Sequence, residues 1–150
     1  MIESRRTVWG LLLLGAALLA GCSPPPYEDI DAARMQALMA EGVPVYDIRR
    51  PDEWARTGVL AGSRLLTYVD GKGQMTPGFL ERFRSEVTPD KRVIILCRSG
   101  NRSAHLARQL EEHLGYTQVF NVEDGIKSWI SDGLPVVPAP TAPPPTAPPP

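Results

Sequence analysis

The chain has 150 residues, 16 basic and 17 acidic, and its formal net charge of −1 offers no footprint for a nucleic-acid partner. Between two compositionally biased ends lie about 110 residues, enough for one domain with a single core and too few for two.

At the first end, Arg5 and Arg6 precede an apolar run over residues 7–21 rich in Leu, Ala and Gly. A spanning helix needs about 20 apolar residues, so the run is too short to cross a membrane and fits the basic and hydrophobic regions of an export signal. Residues 1–21 are therefore read as a signal peptide and set aside from the fold. The stretch Ser4-Arg5-Arg6-Thr7-Val8-Trp9 resembles a twin-arginine signal, and general and twin-arginine export both stay open. Leu19-Ala20-Gly21-Cys22 resembles the lipobox of bacterial lipoproteins. That resemblance implies cleavage before Cys22, lipidation of its thiol, and a domain anchored to a membrane of the cell envelope on the periplasmic or extracytoplasmic side. Each buried acyl CH₂ adds about 0.8 kcal/mol of membrane affinity, so several chains on one cysteine hold a domain firmly. By the convention of that family, Ser23 points to the outer membrane. An ordinary signal peptide with an unrelated cysteine is the competing reading. Residues 22–26 are then the lipidated cysteine and a proline-rich spacer. Cleavage removes Glu3, Arg5 and Arg6, leaving 14 basic against 16 acidic residues.

The domain is read over residues 27–137. Residues 27–30 form a short opening strand, and Asp31 caps a helix whose apolar positions include Ala33, Ala37 and Leu38 and which stops at Gly42. Residues 43–48 read as a strand with Asp47 near its end, where ligands gather in open α/β sheets. Arg49-Arg50-Pro51 breaks the chain, and Asp52 is the expected cap of a short helix holding Glu53 and Trp54. Residues 65–69 are a third strand, followed by the turn-rich Asp70-Gly71-Lys72-Gly73. Thr76 as cap and Pro77 as first helical residue open a helix through Phe79, Leu80 and Phe83.

Residues 92–96, Arg-Val-Ile-Ile-Leu, are dense in β-branched side chains and read as a buried strand of a parallel sheet. Ala104, Leu106, Ala107, Leu110 and Leu114 recur at spacings of three and four, one face of an amphipathic helix ending at Gly115. Cys97 thus ends a strand and Arg102 begins a helix, with Cys97-Arg98-Ser99-Gly100-Asn101-Arg102-Ser103 as the junction. The first amides of a helix lack intrahelical partners and carry partial positive charge, so an anion is welcome there. Gly100 lets the loop bring its amides close to a ligand, Arg98 and Arg102 add full charges, and together these favour a Cys97 thiolate, the attacking form. Residues 118–121 make a last strand and residues 124–130 a last helix. Strands alternating with helices give an α/β fold, a central parallel sheet of about five strands with helices on both faces.

With Cys22 lipidated, Cys97 has no disulfide partner, and an unpaired thiol outside the cytoplasm is a liability unless used. Burial as a small apolar side chain is the plainer alternative. His105 and His113 lie eight apart on one helix with no ligand cluster near them in sequence, so they are read as solvated and no metal site is expected. Trp54, Tyr68, Phe79, Phe83 and Trp129 are read as core.

The loop from Cys97 to Arg102 resembles the six-residue active-site loop of the rhodanese-like domains, the fold of the thiosulfate sulfurtransferases. Asp47-Ile48-Arg49, Glu53-Trp54, and Gly125 with Trp129 follow in the order of that family, and the resemblance spans residues 27–135. It departs at Gly58-Val59-Leu60, where the family has Gly-His-Ile, and at Asp124, where glycine is common. The resemblance implies that Cys97 is the catalytic nucleophile and that Arg98, Ser99, Gly100, Asn101, Arg102 and Ser103 form the substrate-binding loop. Asp47 and Arg49 would form a supporting polar network, with idle surface ion pairs as the alternative. Cys97 would take the outer sulfur of a small sulfane donor such as thiosulfate and pass it, through a persulfide, to a thiol or cyanide acceptor, with Arg98 and Arg102 orienting the anionic donor. No organic cofactor is expected, and the domain is expected to be a monomer.

Two other functions stay open. One is a tethered, non-catalytic module that binds a partner or carries sulfur. The other is a phosphatase or arsenate reductase, which share this fold but need Cys-x5-Arg where this chain has the tighter Cys97-x4-Arg102. The tail, residues 138–150, repeats Thr-Ala-Pro-Pro-Pro, buries nothing, and favours extended polyproline II, a spacer or a ligand for a proline-recognition domain.

Overall fold

The computed structural model describes residues 25–141. The signal peptide, Cys22 lipidation, the role of Ser23 and most of the proline-rich tail lie outside the described residues. The elements run β1 (Glu28–Ile30), α1 (Ala32–Ala40), β2 (Val45–Asp47), α2 (Pro51–Thr57), β3 (Arg64–Leu65), α3 (Phe79–Glu86), β4 (Val93–Leu96), α4 (Asn101–Leu114), β5 (Val119–Val122) and α5 (Gly125–Ser131). The five strands form one sheet in the order β1-β5-β4-β2-β3, and every pairing is parallel.

All residues of β2, β4 and β5 are buried, as strands covered on both faces must be. Strand alternation divides them between two apolar layers. Val93, Ile95 and Cys97 face Phe79 and Phe83 of α3 and Leu106, Ala107 and Leu110 of α4. Ile94 and Leu96 face Met35 and Leu38 of α1 and Ile126 and Trp129 of α5. Val45 of β2 pairs with Ile94 and Asp47 with Leu96, so the two strands end level and Cys97 follows at the carboxyl edge of the sheet, on the opposite face from Leu96.

Several local expectations are corrected. In α1, capped as expected by Asp31, which accepts from the Arg34 amide at 2.7 Å, the buried face is Ala32, Met35 and Leu38, while Ala33 and Ala37 are exposed. Helix α2 starts at Pro51, not after Asp52. Proline lacks the amide that a first helical residue leaves unused, and Glu53 reaches back to the Arg50 amide at 3.0 Å. Helix α3 starts at Phe79 behind Gly78 at φ +73°, because the Thr76 hydroxyl donates to the Thr67 carbonyl instead of capping a helix at Pro77. The third strand is only Arg64–Leu65. Beyond it Tyr68 still donates to the Ile48 carbonyl at 3.2 Å, but Val69 turns back to bridge Met75. Among the described residues no helix is long and apolar enough to cross a membrane.

Candidate active site

β4 delivers Cys97 into a turn whose backbone is pressed against the start of α5. Gly100 sits at φ +85°, and a Cβ there would fall 1.6 Å from the Glu123 carbonyl oxygen. Gly125 sits at φ +63°, where a Cβ would meet the Arg98 carbonyl carbon at 2.4 Å. Both positions demand glycine for handedness and for space. The contact leaves the loop carbonyls tied to α5: the Ile126 amide donates to the Cys97 carbonyl at 2.9 Å and Lys127 to Arg98 at 3.3 Å. Its amides are left over. The Ala104 amide is bound by the Gly100 carbonyl at 2.8 Å, but those of Arg98, Ser99, Gly100, Asn101, Arg102 and Ser103 have no protein acceptor among the described residues. Six successive unpaired donors beside a sulfur make a cradle for a bound anion.

Cys97 is 1% exposed. Its Sγ lies 3.3 Å from the hydroxyl of Ser103, which is also within 2.8 Å of the Gly100 carbonyl and shares its one proton between them. Arg98 and Ser99 are exposed, and Arg98 has no ion pair among the described residues.

Arg102 is held differently. Its Nη1 and Nη2 donate to the two Glu53 carboxylate oxygens at 2.8 and 2.7 Å, a bidentate pair that fastens α2 to the start of α4. Burial of Glu53 pushes its carboxyl up, but the Arg102 hydrogen bonds and the Arg50 amide outweigh this and hold it at about 2. The same Glu53 bonds raise Arg102. With both terminal nitrogens occupied, Arg102 is a clamp in this structure, and Arg98 is the loop's unpaired cation.

Asp47 and Arg49 are fully buried. Arg49 Nη2 donates to Asp47 Oδ2 at 2.6 Å and Nε to Oδ1 at 2.8 Å. The remaining guanidinium donors reach the Thr57 hydroxyl at 2.6 Å and the Gly58 carbonyl at 2.9 Å. The pair is therefore an internal tie from the end of β2 to the end of α2, the helix that carries Glu53. It is not a surface ion pair.

One group escapes the sequence reading. His105 is exposed, yet its Nδ1 lies 2.9 Å from the hydroxyl of buried Tyr68, which donates to Gln109 Oε1 at 2.9 Å. The only hint in the sequence is the i, i+4, i+8 spacing of Asn101, His105 and Gln109 along α4. His113 is exposed, as expected.

A family model for the Rhodanese-like domain matches residues 31–132, and the chain belongs to that family. A sulfurtransferase from Allochromatium vinosum is 35% identical over 113 residues, 73% of this chain and 94% of its own. Among solved structures, a rhodanese-related protein from Thermoplasma volcanium superposes with a TM-score of 0.58 at 30% identity, over 75% of this chain and all of its own. A Rhodopseudomonas palustris protein described as a possible tyrosine phosphatase gives 0.55 at 29% identity, over 74% of this chain and 85% of its own. Family membership and sulfurtransferase relatives support a role in sulfur transfer.

Proposed function

We propose that this chain is an enzyme that moves a sulfane sulfur from a small anionic donor such as thiosulfate to a thiophilic acceptor through a persulfide on Cys97. The observation that carries the reading is the run of six unpaired amides directly following the cysteine. In the first half-reaction the Cys97 thiolate attacks the outer sulfur of thiosulfate. A new S–S bond forms, the donor's S–S bond breaks, and sulfite leaves with its electron pair. The persulfide's terminal sulfur keeps one negative charge, which the loop amides are placed to stabilise, and Arg98 supplies the charge that draws in the donor. An acceptor then removes the outer sulfur and restores the thiolate.

The phosphatase reading is the weaker one. A tetrahedral phosphate needs a wider ring and a free terminal arginine, and here Arg102 is occupied by Glu53. We further propose, from residues 1–26 alone, that the domain is exported and held at an envelope membrane by lipid on Cys22.

The test is to incubate the domain with thiosulfate and weigh the intact protein. A gain of about 32 Da, one sulfur atom, that vanishes with cyanide and is absent in Cys97→Ser is the expected result. A folded domain with a free thiol that gains nothing from any sulfane donor would sink the enzyme reading and favour the tethered binding module.

A further inference from the structure

Beside the loop, on the α4 side, lies a cleft of about 630 Å³. Asn101 and Arg102, the residues that follow the cysteine loop into α4, line it together with His105, Tyr68, Val69 and half-exposed Met75. This is a volume that takes a small organic molecule. The chemistry proposed above leaves one task unassigned: an acceptor thiol must lose its proton before it can attack the persulfide.

The Tyr68 hydroxyl has a single proton, and it goes to Gln109 Oε1. The Tyr68 oxygen must then accept from His105, which places the imidazole proton on Nδ1 and leaves Nε2 with a free lone pair on an exposed ring lining the cleft. The buried tyrosine thus fixes both the ring and the tautomer of a surface histidine. Of the other groups at the cleft, Asp70 accepts the amides of Lys72 and Gln74 on Oδ1 at 2.8 and 2.9 Å and, as a carboxylate, belongs to a class of weaker bases than imidazole, while burial raises the Tyr68 phenol, which keeps its proton. The remaining charged groups at the cleft are Arg102, paired with Glu53, and Arg50, paired with Asp52 and Glu53.

We propose that this cleft is the acceptor site, that its ligand is a low-molecular-weight organic thiol, and that His105 Nε2 is the general base that ionises it. The proposal rests on the persulfide reading. His105 takes the thiol proton and the thiolate attacks the outer persulfide sulfur. The bond from that sulfur to Cys97 Sγ breaks with its electron pair remaining on Sγ, and the proton passes to the transferred sulfur. Thiol plus persulfide anion become hydropersulfide plus Cys97 thiolate, with no outside oxidant or reductant.

The test separates the two half-reactions. The protein is loaded with thiosulfate, freed of donor, and mixed in a single turnover with glutathione, whose thiol is largely protonated at neutral pH, with 2-nitro-5-thiobenzoate, whose thiol is already ionised, or with sulfite, which needs no deprotonation. His105→Gln should slow discharge to glutathione about a hundredfold and leave loading and the other two acceptors within about twofold. Tyr68→Phe, which keeps the ring and frees the tautomer, should lose about tenfold with glutathione alone. No slowing with glutathione, or equal slowing with all three acceptors, overturns the base role while the persulfide reading stands. A wild-type protein that never loads overturns both.

Discussion

Arg49 is a charged side chain with no exposure, and its cost is tolerable only because each donor finds a partner. Removing one member of such a pair strands the other. Arg49→Met is therefore expected to lose about 3 to 5 kcal/mol of unfolding free energy in urea titrations, and the double change Asp47→Leu with Arg49→Met to recover part of it. A loss below about 1 kcal/mol would place the pair with idle surface ion pairs. The position of Asp47 at a strand end was readable from the chain, because a short apolar strand followed by Arg-Arg-Pro has one plausible boundary. The burial of Arg49 was not, since nothing local distinguishes it from exposed Arg56, which pairs with Asp52 at 2.8 Å.

At the scale of elements, α2 is two turns long and of little intrinsic stability, yet it carries the carboxylate that fixes Arg102. Glu53 titrates near 4.5 when free and at about 2 in the folded domain. The unfolded chain therefore binds more protons between those values. The contacts of the Glu53 carboxylate, with Arg102 and with the Arg50 amide together, contribute their full stabilisation above about pH 4.5, on the order of 3 kcal/mol, and lose it as the pH falls toward 2. Acid titrations should show this loss in the wild type. Glu53→Gln should be less stable at neutral pH and lack that segment of the acid limb; an unchanged limb would mean that the clamp does not hold in solution. β4 and α4 were readable from sequence because apolar runs and three-four spacing are strong signals of burial. The starts of α2 and α3 were misplaced because a nearby Asp or Thr reads as a cap, while Pro51 and the Thr67 carbonyl decided the outcome. The contacts from Glu53 to Arg102 and from Tyr68 to His105 span 49 and 37 positions, and no local pattern encodes them.

Across the whole molecule, the loop is braced by α5 and by Glu53 of α2, and both helices are tied to a segment near the far end of the domain. After α5, Leu134 donates to the Trp129 carbonyl at 3.1 Å and the Trp129 indole donates to Pro135 at 2.9 Å. Val137 exchanges backbone hydrogen bonds of 2.8 and 2.9 Å with Val59. That return packs on Gly58, where a Cβ would lie 2.7 Å from the Val137 oxygen, and the Gly58 carbonyl accepts from Arg49. A tie therefore runs from residue 137 through Gly58 and α2 to Glu53, Arg102 and the loop. Ending the chain at residue 133 removes the strap and should cost about 4 kcal/mol, counting four hydrogen bonds at about 1 kcal/mol each. In a domain of this size that corresponds to a fall of about 15 °C in Tm relative to a chain ended at 141. Because the strap is tied to α2 and α5, the two helices that hold the loop, the shortened domain should also load sulfur more slowly at temperatures where it remains folded. An equal Tm for the two chains would show that the strap bears no load. A lower Tm with unchanged loading would confine its effect to stability and separate the brace from the chemistry.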